Sequence, residues 1–460
     1  MRIEIKNVGQ IEKAVIDLEG ITVIAGENNT GKSTIGKTVF ALLRGMNQWK
    51  DIYFSRCRAS LKKVMEKNSL PLEEFCLSHT DAARRRTSRA DRLLNQLSSD
   101  EEFLAEIEDY QIFGDQRVHH RLTEYYRYYI ALYKKNDVQQ LIDENKKYLD
   151  TWVEAVLKDI DNIELDEAAL QANYIKNSFT SCFKGQYVTE DQSCSEIILY
   201  EKQRENVLKM SRVESIISAP IRFENGVYFI ESPKIFDEIG TFGNGREGLR
   251  RLMIPNTFMN IFSAKAGVLN YSIGQTFLDN EIPKEAEEVV LMLQNAMNGQ
   301  AEYYVKEGIR FKENGIKESL YPQNVSTGVK ALAFLEYAVR LGAIQKSDIL
   351  ILDEPEINLH PQWQIVYARA LVLLQKAYHL TLIITTHSPY FMRALECFSD
   401  KYDSMSNLNV YYVSRNSNGQ HSIKNVINSE YGMTEVYEKL SAAFEELQDE
   451  IDELYGYEEE

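Results

Sequence analysis

Cysteine is scarce and scattered in this chain of 460 residues. Its 5 cysteines, Cys57, Cys76, Cys182, Cys194 and Cys397, include no CxxC pair, which argues against a zinc site and against a disulfide framework. Isolated reduced thiols are expected. Long apolar runs are also missing. No stretch approaches the roughly 18–20 residues that cross a bilayer, and the opening MRIEIKNVGQ lacks the apolar centre of a secretory signal. The expected location is therefore the cytoplasm, with no membrane partner. Positive charge is in deficit: 52 Lys and Arg face 69 Asp and Glu for a net −17, which is unfavourable to a nucleic-acid binder. The deficit is uneven. From Glu430 onward there are 12 acidic residues against 1 basic, a net −11, so the rest of the chain carries only about −6 and is compatible with a basic groove.

With 44 % hydrophobic and 26 % charged residues, the chain has an ordinary globular composition and length for a large core or two domains. Two strands, RIEIKNV and KAVIDLEG, precede a third, ITVIAG, whose unbroken apolar run suits a buried parallel strand. The Gly-rich GENNTGKSTIGKTVFALLRG then enters a helix. From about Trp49 to Asn177 the pattern turns to helical spacing with almost no Gly or Pro, and it sustains no heptad repeat, so a helical insertion is expected rather than a long coiled-coil arm. Strand character returns in SEIILYEKQRENVLKM, GVYFIESP and AEYYVKEGIRFKENG. A helix over Thr327–Leu341, the strand ILILDE, a helix starting near Trp363, the strand LTLIITT and a hairpin after Asn409 follow. This alternation predicts an α/β fold with a mainly parallel sheet, an N-terminal antiparallel portion and helices on both faces. The expected divisions are 1–48, a helical insertion over 49–194, 195–428, and an acidic helix and tail over 429–460. In that last helix Val436, Leu440, Phe444, Leu447, Ile451 and Leu454 share one stripe, which favours docking on the body of the chain over holding a partner.

Four stretches carry chemistry. GENNTGKST fits the phosphate-binding pattern G-x-x-x-x-G-K-[ST] at Gly26, Gly31, Lys32 and Ser33. In that pattern the backbone of Gly26, Glu27, Asn28, Asn29, Thr30, Gly31, Lys32, Ser33 and Thr34 curls around phosphates. Lys32 reaches the terminal phosphates, and Ser33 offers a hydroxyl to Mg²⁺. The strand ending DILILDEPEINLHPQWQ places two carboxylates where burial is costly, unless a metal and a polarised water lie opposite. Asp353 is then a Mg²⁺ ligand and Glu354 faces the water that attacks the γ-phosphate, with their strand expected beside the P-loop strand. A helix-start Asp-Glu-Pro is the plainer alternative. LIITTHSP ends a third buried strand in Thr386, His387 and Ser388. His387 there suits a hydrogen bond to a γ-phosphate oxygen, or is an ordinary strand-end histidine. NVSTGVKAL puts Ser326 and Gly328 at a helix start, as an anion site or a plain N-cap.

Together these stretches resemble the ABC-type ATPase head shared by SMC, RecF and OLD-family proteins. LDEPEINLHPQWQ and TTHSPYF resemble more closely still the OLD-like ATPase subunits of bacterial antiphage defence, such as those of Septu, PARIS and some retron systems. The resemblance covers the first fifty residues and roughly Ser195 to Val426, leaving out the helical insertion. It implies an ATPase using ATP and Mg²⁺, with Glu354 and His387 catalytic. It also implies a head-to-head dimer or higher oligomer in which the signature Ser326, Thr327, Gly328 and Lys330 completes the partner's site. The D-loop residues Asn358 and His360 would come to the seam, although a His-Pro that merely ends a turn is the simpler alternative. Thr327 and Val329 depart from the SMC signature Ser-Gly-Gly-Glu-Lys.

The resemblance further implies a switch that controls a separate effector such as a nuclease. About seventy residues follow His387, too few for the Toprim domain of OLD-type nucleases, and no HNH-like cluster occurs. The other readings are a RecF-like clamp on DNA and a transporter ATPase subunit; the insertion, divergent signature and acidic helix count against the second. ARRRTSRADR, with Arg84, Arg85, Arg86, Arg89 and Arg92, is either a phosphate-binding cluster or a solvated face. His119 and His120 point apart on a helix and make a poor metal pair, and the tyrosines near them suit a core or interface.

Overall fold

Three apolar runs form the middle of the parallel block of a mixed sheet: β3 (Ile21–Gly26), β10 (Ile349–Asp353) and β11 (Thr381–Thr386). All of β3 and all but the terminal Asp353 and Thr381 of the other two are buried, as expected for strands covered on both faces. The computed structural model describes residues 1–79, 92, 97, 102–103, 106–107, 110, 116–133, 138–163, 167–201, 204–221, 223, 225–231, 283–304, 308–415, 421–427 and 432–455. They form two units, Met1–Asn47 with Gln171–Glu460, and Gln48–Leu170.

The first unit also holds β1 (Arg2–Val8), β2 (Ile11–Asp17), β4 (Ser195–Glu201), β5 (Arg204–Met210), β6 (Ser215–Ile217), β7 (Val227–Ile230), β12 (Leu408–Arg415) and β13 (His421–Asn425). The 11-stranded sheet runs β6-β5-β4-β1-β2-β13-β12-β3-β11-β10-β7. The block β7-β10-β11-β3-β12 is parallel. The block β6-β5-β4-β1-β2 is antiparallel, as is β12 with β13. One parallel pair, His421 with Ile11, joins the two blocks. A separate hairpin comprises β8 (Gly299–Tyr304) and β9 (Gly308–Glu313).

This order corrects one expectation. The strand ending at Asp353 does not lie beside the P-loop strand, because β11 pairs with both and separates them. Next-nearest strands are roughly 9–10 Å apart, so only side chains at the strand end bridge β10 to β3.

Strand alternation sorts the core. Leu350, Leu352, Leu382, Ile384, Ile21, Val23 and Val410 face one cluster with α6 (Lys284–Ala296), α7 (Thr327–Arg340), α8 (Pro361–Tyr378) and α9 (Pro389–Lys401). The intervening residues face the start of α1 (Lys32–His79), where a Cβ on Gly36 would meet Ile351 at 3.4 Å. Helix α7 is the most enclosed. Its Glu336 is fully buried, and accepts from Arg340 Nε at 2.6 Å and Gln294 Nε2 at 2.8 Å, which offsets the cost of burying the charge.

The second unit contains the later part of α1, α2 (Arg117–Tyr133), α3 (Val138–Glu144), α4 (Lys146–Asp161) and the first residues of α5 (Glu167–Phe183). Trp152 anchors it: Nε1 donates to the Asn68 carbonyl at 2.8 Å, and the ring stacks on Tyr125. Tyr126 and Tyr129 are buried, so the tyrosine-rich stripe contributes to the core, whereas His119 and His120 are exposed. Arg84, Arg85, Arg86 and Arg89 lie outside the described residues.

The C-terminal helix α10 (Gly432–Tyr455) divides along its stripe. Val436 is buried and Met433, Tyr437 and Leu440 pack on the main core, but Phe444, Leu447 and Leu454 are exposed. Docking on the body of the chain accounts for the first half only.

Candidate functional site

Between β3 and α1 the loop Glu27–Gly31 curls sharply, with Asn29 at φ 60° and Gly31 at φ 93°. The left-handed φ requires glycine there, and a Cβ on Gly31 would also come within 2.7 Å of Ile11 Cδ1, whose end would have to shift. Thr30 Oγ1 donates to the Glu27 carbonyl at 2.8 Å and staples the loop, while Glu27, Asn28 and Asn29 are exposed. Lys32 is only 3 % exposed; its Nζ donates to the Glu27 carbonyl at 2.7 Å and lies 3.5 Å from Glu354 Oε1. Thr34 sits beside the β1–β2 turn at Gly9.

Besides the approach of Lys32 to Glu354, the P-loop meets the acidic strand end through a hydrogen bond. Ser33 Oγ donates to Asp353 Oδ1 at 2.9 Å. Thr385, on the intervening strand, donates to the same oxygen at 2.6 Å. Asp353, Thr385 and Ile24 are aligned across the three strands, so the small threonine lets the aspartate reach past β11. Burial pushes the Asp353 carboxyl above its ordinary value, and the hydrogen bonds from Thr385 and Ser33 oppose that shift.

Glu354 adopts the left-handed conformation at φ 50°, which is rare and strained for such a residue. Its N–H is held by Thr385, through the carbonyl at 3.1 Å and Oγ1 at 3.0 Å. The next residues form a turn, and the following helix begins only at Pro361, which removes the helix-start reading of Asp-Glu-Pro. The strained backbone aims the Glu354 carboxylate between two cations or potential cations: Lys32 Nζ and His387 Nδ1, each at 3.5 Å.

The remaining motif residues gather in a second group. Ser326 caps α7, its side chain accepting from Val329 N at 3.4 Å, and is exposed; Thr327 begins the helix. A Cβ on Gly328 would lie 2.9 Å from the Asn358 carbonyl and 3.1 Å from the Trp363 ring, so the start of α7 packs against the turn at Asn358 within one chain. Lys330 is buried on the next turn. Asn358 is left-handed at φ 65° and exposed. His360 is exposed and caps α8, Nδ1 accepting from Gln362 N at 3.4 Å, so the local role of the His-Pro is helix initiation.

Residues 1–392 match the AAA ATPase domain family. The chain belongs to that family. It is also similar in backbone to the SMC head domain from Thermotoga maritima, at 11% identity and TM-score 0.37, covering 92% of this chain and 98% of that one. An SmcHead bound to the C-winged helix domain of ScpA gives 12% identity and TM-score 0.41 over 92% and 97% of the two chains. The Smc head domain with a coiled coil and joint from Pyrococcus yayanosii gives 12% and 0.34 over 96% and 99%. No curated protein matches the chain.

Three residues of this AAA ATPase domain escaped the motif reading. Thr385 organises Asp353 and Glu354 together. Glu356 is 3 % exposed, and its Oε1 accepts from Thr386 Oγ1 at 2.5 Å and from His387 N at 3.1 Å. Burial pushes its carboxyl up, opposed by those bonds. Gln364 joins the Leu359 carbonyl, at 3.1 Å, to Ser388 Oγ, at 2.7 Å. The available signal was a third acidic residue in a turn beside a Thr-Thr strand end, but only proximity in space shows which partner each acid takes. Among the described residues no helix is long and apolar enough to cross a membrane, and no group of three or more His, Cys, Asp or Glu gathers to hold a metal.

Proposed function

We propose that the chain binds ATP with Mg²⁺ in the cradle Gly26–Thr34 and hydrolyses it, and that the bound nucleotide switches a separate effector on or off. The observation that carries this is the hydrogen bond from Ser33 to Asp353, which joins two motifs far apart in sequence at 2.9 Å. A hydroxyl and a single carboxylate are the hard-oxygen donors with which Mg²⁺ is held when phosphates and water supply the rest of its shell. Ser33 and Asp353 would hold the ion, which when bound neutralises charge on the phosphates.

The chain's own groups account for the remainder. Lys32 Nζ neutralises the terminal phosphates. Glu354, held by Thr385 in its left-handed turn, takes the proton of the attacking water, and His387 contacts the γ-phosphate. Exposure of Ser326, Asn358 and His360 suits the second part of this reading, a head-to-head dimer in which Ser326, Thr327, Gly328 and Lys330 of one copy complete the site of another. The resemblance of LDEPEINLHPQWQ and TTHSPYF to OLD-like subunits supports a regulatory role in antiphage defence, with a nuclease as the expected class of effector.

Glu354→Gln tests the chemistry: equilibrium ATP binding should persist while phosphate release falls at least about a hundredfold, the scale of losing a positioned base. Turnover equal to the parent's would sink the assignment. Sedimentation of that variant should show an ATP-dependent dimer. DNA binding at low salt that strengthens with ATP, without a co-purifying effector, would replace the regulatory reading with a DNA clamp.

A further inference from the structure

His387 stands between two carboxylates. Its Nδ1 is 3.5 Å from Glu354 Oε1 and 3.8 Å from Glu356 Oε1, and that nitrogen is buried with no hydrogen-bond partner among the described residues. Glu356 is equally incomplete. Its Oε1 takes the Thr386 hydroxyl and the His387 N–H, while its buried Oε2 has no hydrogen-bond partner among the described residues. An imidazole nitrogen and a carboxylate oxygen left unpaired at buried positions are each costly, and turning the ring toward Glu356 closes the 3.8 Å gap to its carboxylate.

The surroundings favour such a rotation over a larger rearrangement. The backbone at His387 is tied by Glu356, and the adjoining Ser388 is tied by Gln364 to the Leu359 carbonyl, so strand end and loop are fastened at two points. The ring is the element left to move. On its other side Glu354 is already shared with Lys32.

We propose that the Nδ1–H of His387 is shared between the Glu354 and Glu356 carboxylates, and that Glu356 is a positioning residue which draws the imidazole away and leaves Glu354 open to water. With the ring turned to Glu354, the base carries a hydrogen bond that blocks its approach to the water. With the ring turned to Glu356, the base is released and Nε2 is directed by a fixed partner. The proposal rests on the reading of Glu354 as the base, but its first test does not.

That test is histidine-selective ¹⁵N NMR on the nucleotide-free chain, with the His387 signals assigned by their loss in His387→Gln. Glu356→Gln keeps an acceptor for Thr386 and the His387 N–H but removes the carboxylate charge, so Nδ1–H is drawn to the remaining carboxylate, Glu354. The His387 Nδ1 resonance should move, and it should move again when Glu354→Gln removes the remaining carboxylate. Hydrolysis supplies the second readout. In Glu356→Gln kcat should fall roughly ten- to a hundredfold with KM for ATP within about twofold, and in a His387→Gln background the same change should cost nothing further.

An unmoved resonance, or a kcat loss that adds fully to that of His387→Gln, overturns the proposal. If Glu356→Gln does not fold, Glu356→Asp, which withdraws the carboxylate from Nδ1 by one methylene, is held to the same criteria. A moved resonance in a chain whose parent hydrolyses no ATP would retain the shared hydrogen bond and refute the base assignment instead.

Discussion

Replacing Lys32 with methionine should weaken the nucleotide-free protein as well as its hold on nucleotide. The side chain is 3 % exposed, its ammonium donates to the Glu27 carbonyl at 2.7 Å, and it stands 3.5 Å from a Glu354 carboxylate that is 21 % exposed. Methionine keeps most of the buried stem and removes only the charge. Losing a hydrogen bond from a charged donor costs about 1.5–3 kcal/mol. Leaving Glu354 without its lysine partner adds up to about 1 kcal/mol, less than for a fully buried pair because water reaches the carboxylate. The sum is about 2–4 kcal/mol, and unfolding entropy for a unit of this size converts that to a Tm lower by roughly 3–6 °C. Calorimetry without nucleotide should show that loss. In Lys32→Met/Glu354→Gln the drop should be smaller than the sum of the single effects, because no unpaired carboxylate remains. Strict additivity would refute the idea that Lys32 neutralises Glu354. ATP binding by titration calorimetry should be lost in both Lys32 variants.

Thr385→Val removes the hydroxyl that serves Asp353 and Glu354 together, so it should cost about 1–3 kcal/mol by thermal melting and weaken Mg²⁺-dependent nucleotide binding, while Thr381→Val at the far end of the same strand does neither. Gly328→Ala forces a methyl toward the Asn358 carbonyl and Trp363, and should lower stability by about 1–3 kcal/mol and weaken any ATP-dependent dimer, read by sedimentation. Because burial holds the Glu356 carboxyl above its ordinary value of 4.5, the stability linked to its neutral form is complete below that pH and is lost as pH rises through the higher native value. The Tm of the parent relative to Glu356→Gln should therefore decline as pH is raised from about 4 towards 7; a rise would contradict the shift.

Much of the site was legible because its signals are local. A Gly-rich turn between a buried strand and a helix announces itself in consecutive residues, and so do the Ser326 helix cap and the apolar strands that end in Asp353 and Thr386. Helical spacing with almost no Gly or Pro also marks the helix-rich stretch after Trp49, although the second unit ends at Leu170, short of the expected boundary at 194. Strand order was not legible: nothing in ILILDE or LIITTHSP distinguishes the strand beside β3 from the next one out, since both are apolar runs of similar length. Sequence therefore determined which residues carry charge, hydroxyl and imidazole, and which backbone segments present them. Tertiary structure alone decided that β11 lies between the P-loop and Asp353, that Thr385 bridges the gap, and that Glu354 is held left-handed. It also decided that Glu356 turns inward to His387, whereas Asn358 turns out to solvent. Those outcomes depend on hydrogen bonds and burial between residues distant along the chain, whose energies exist only once the sheet has assembled.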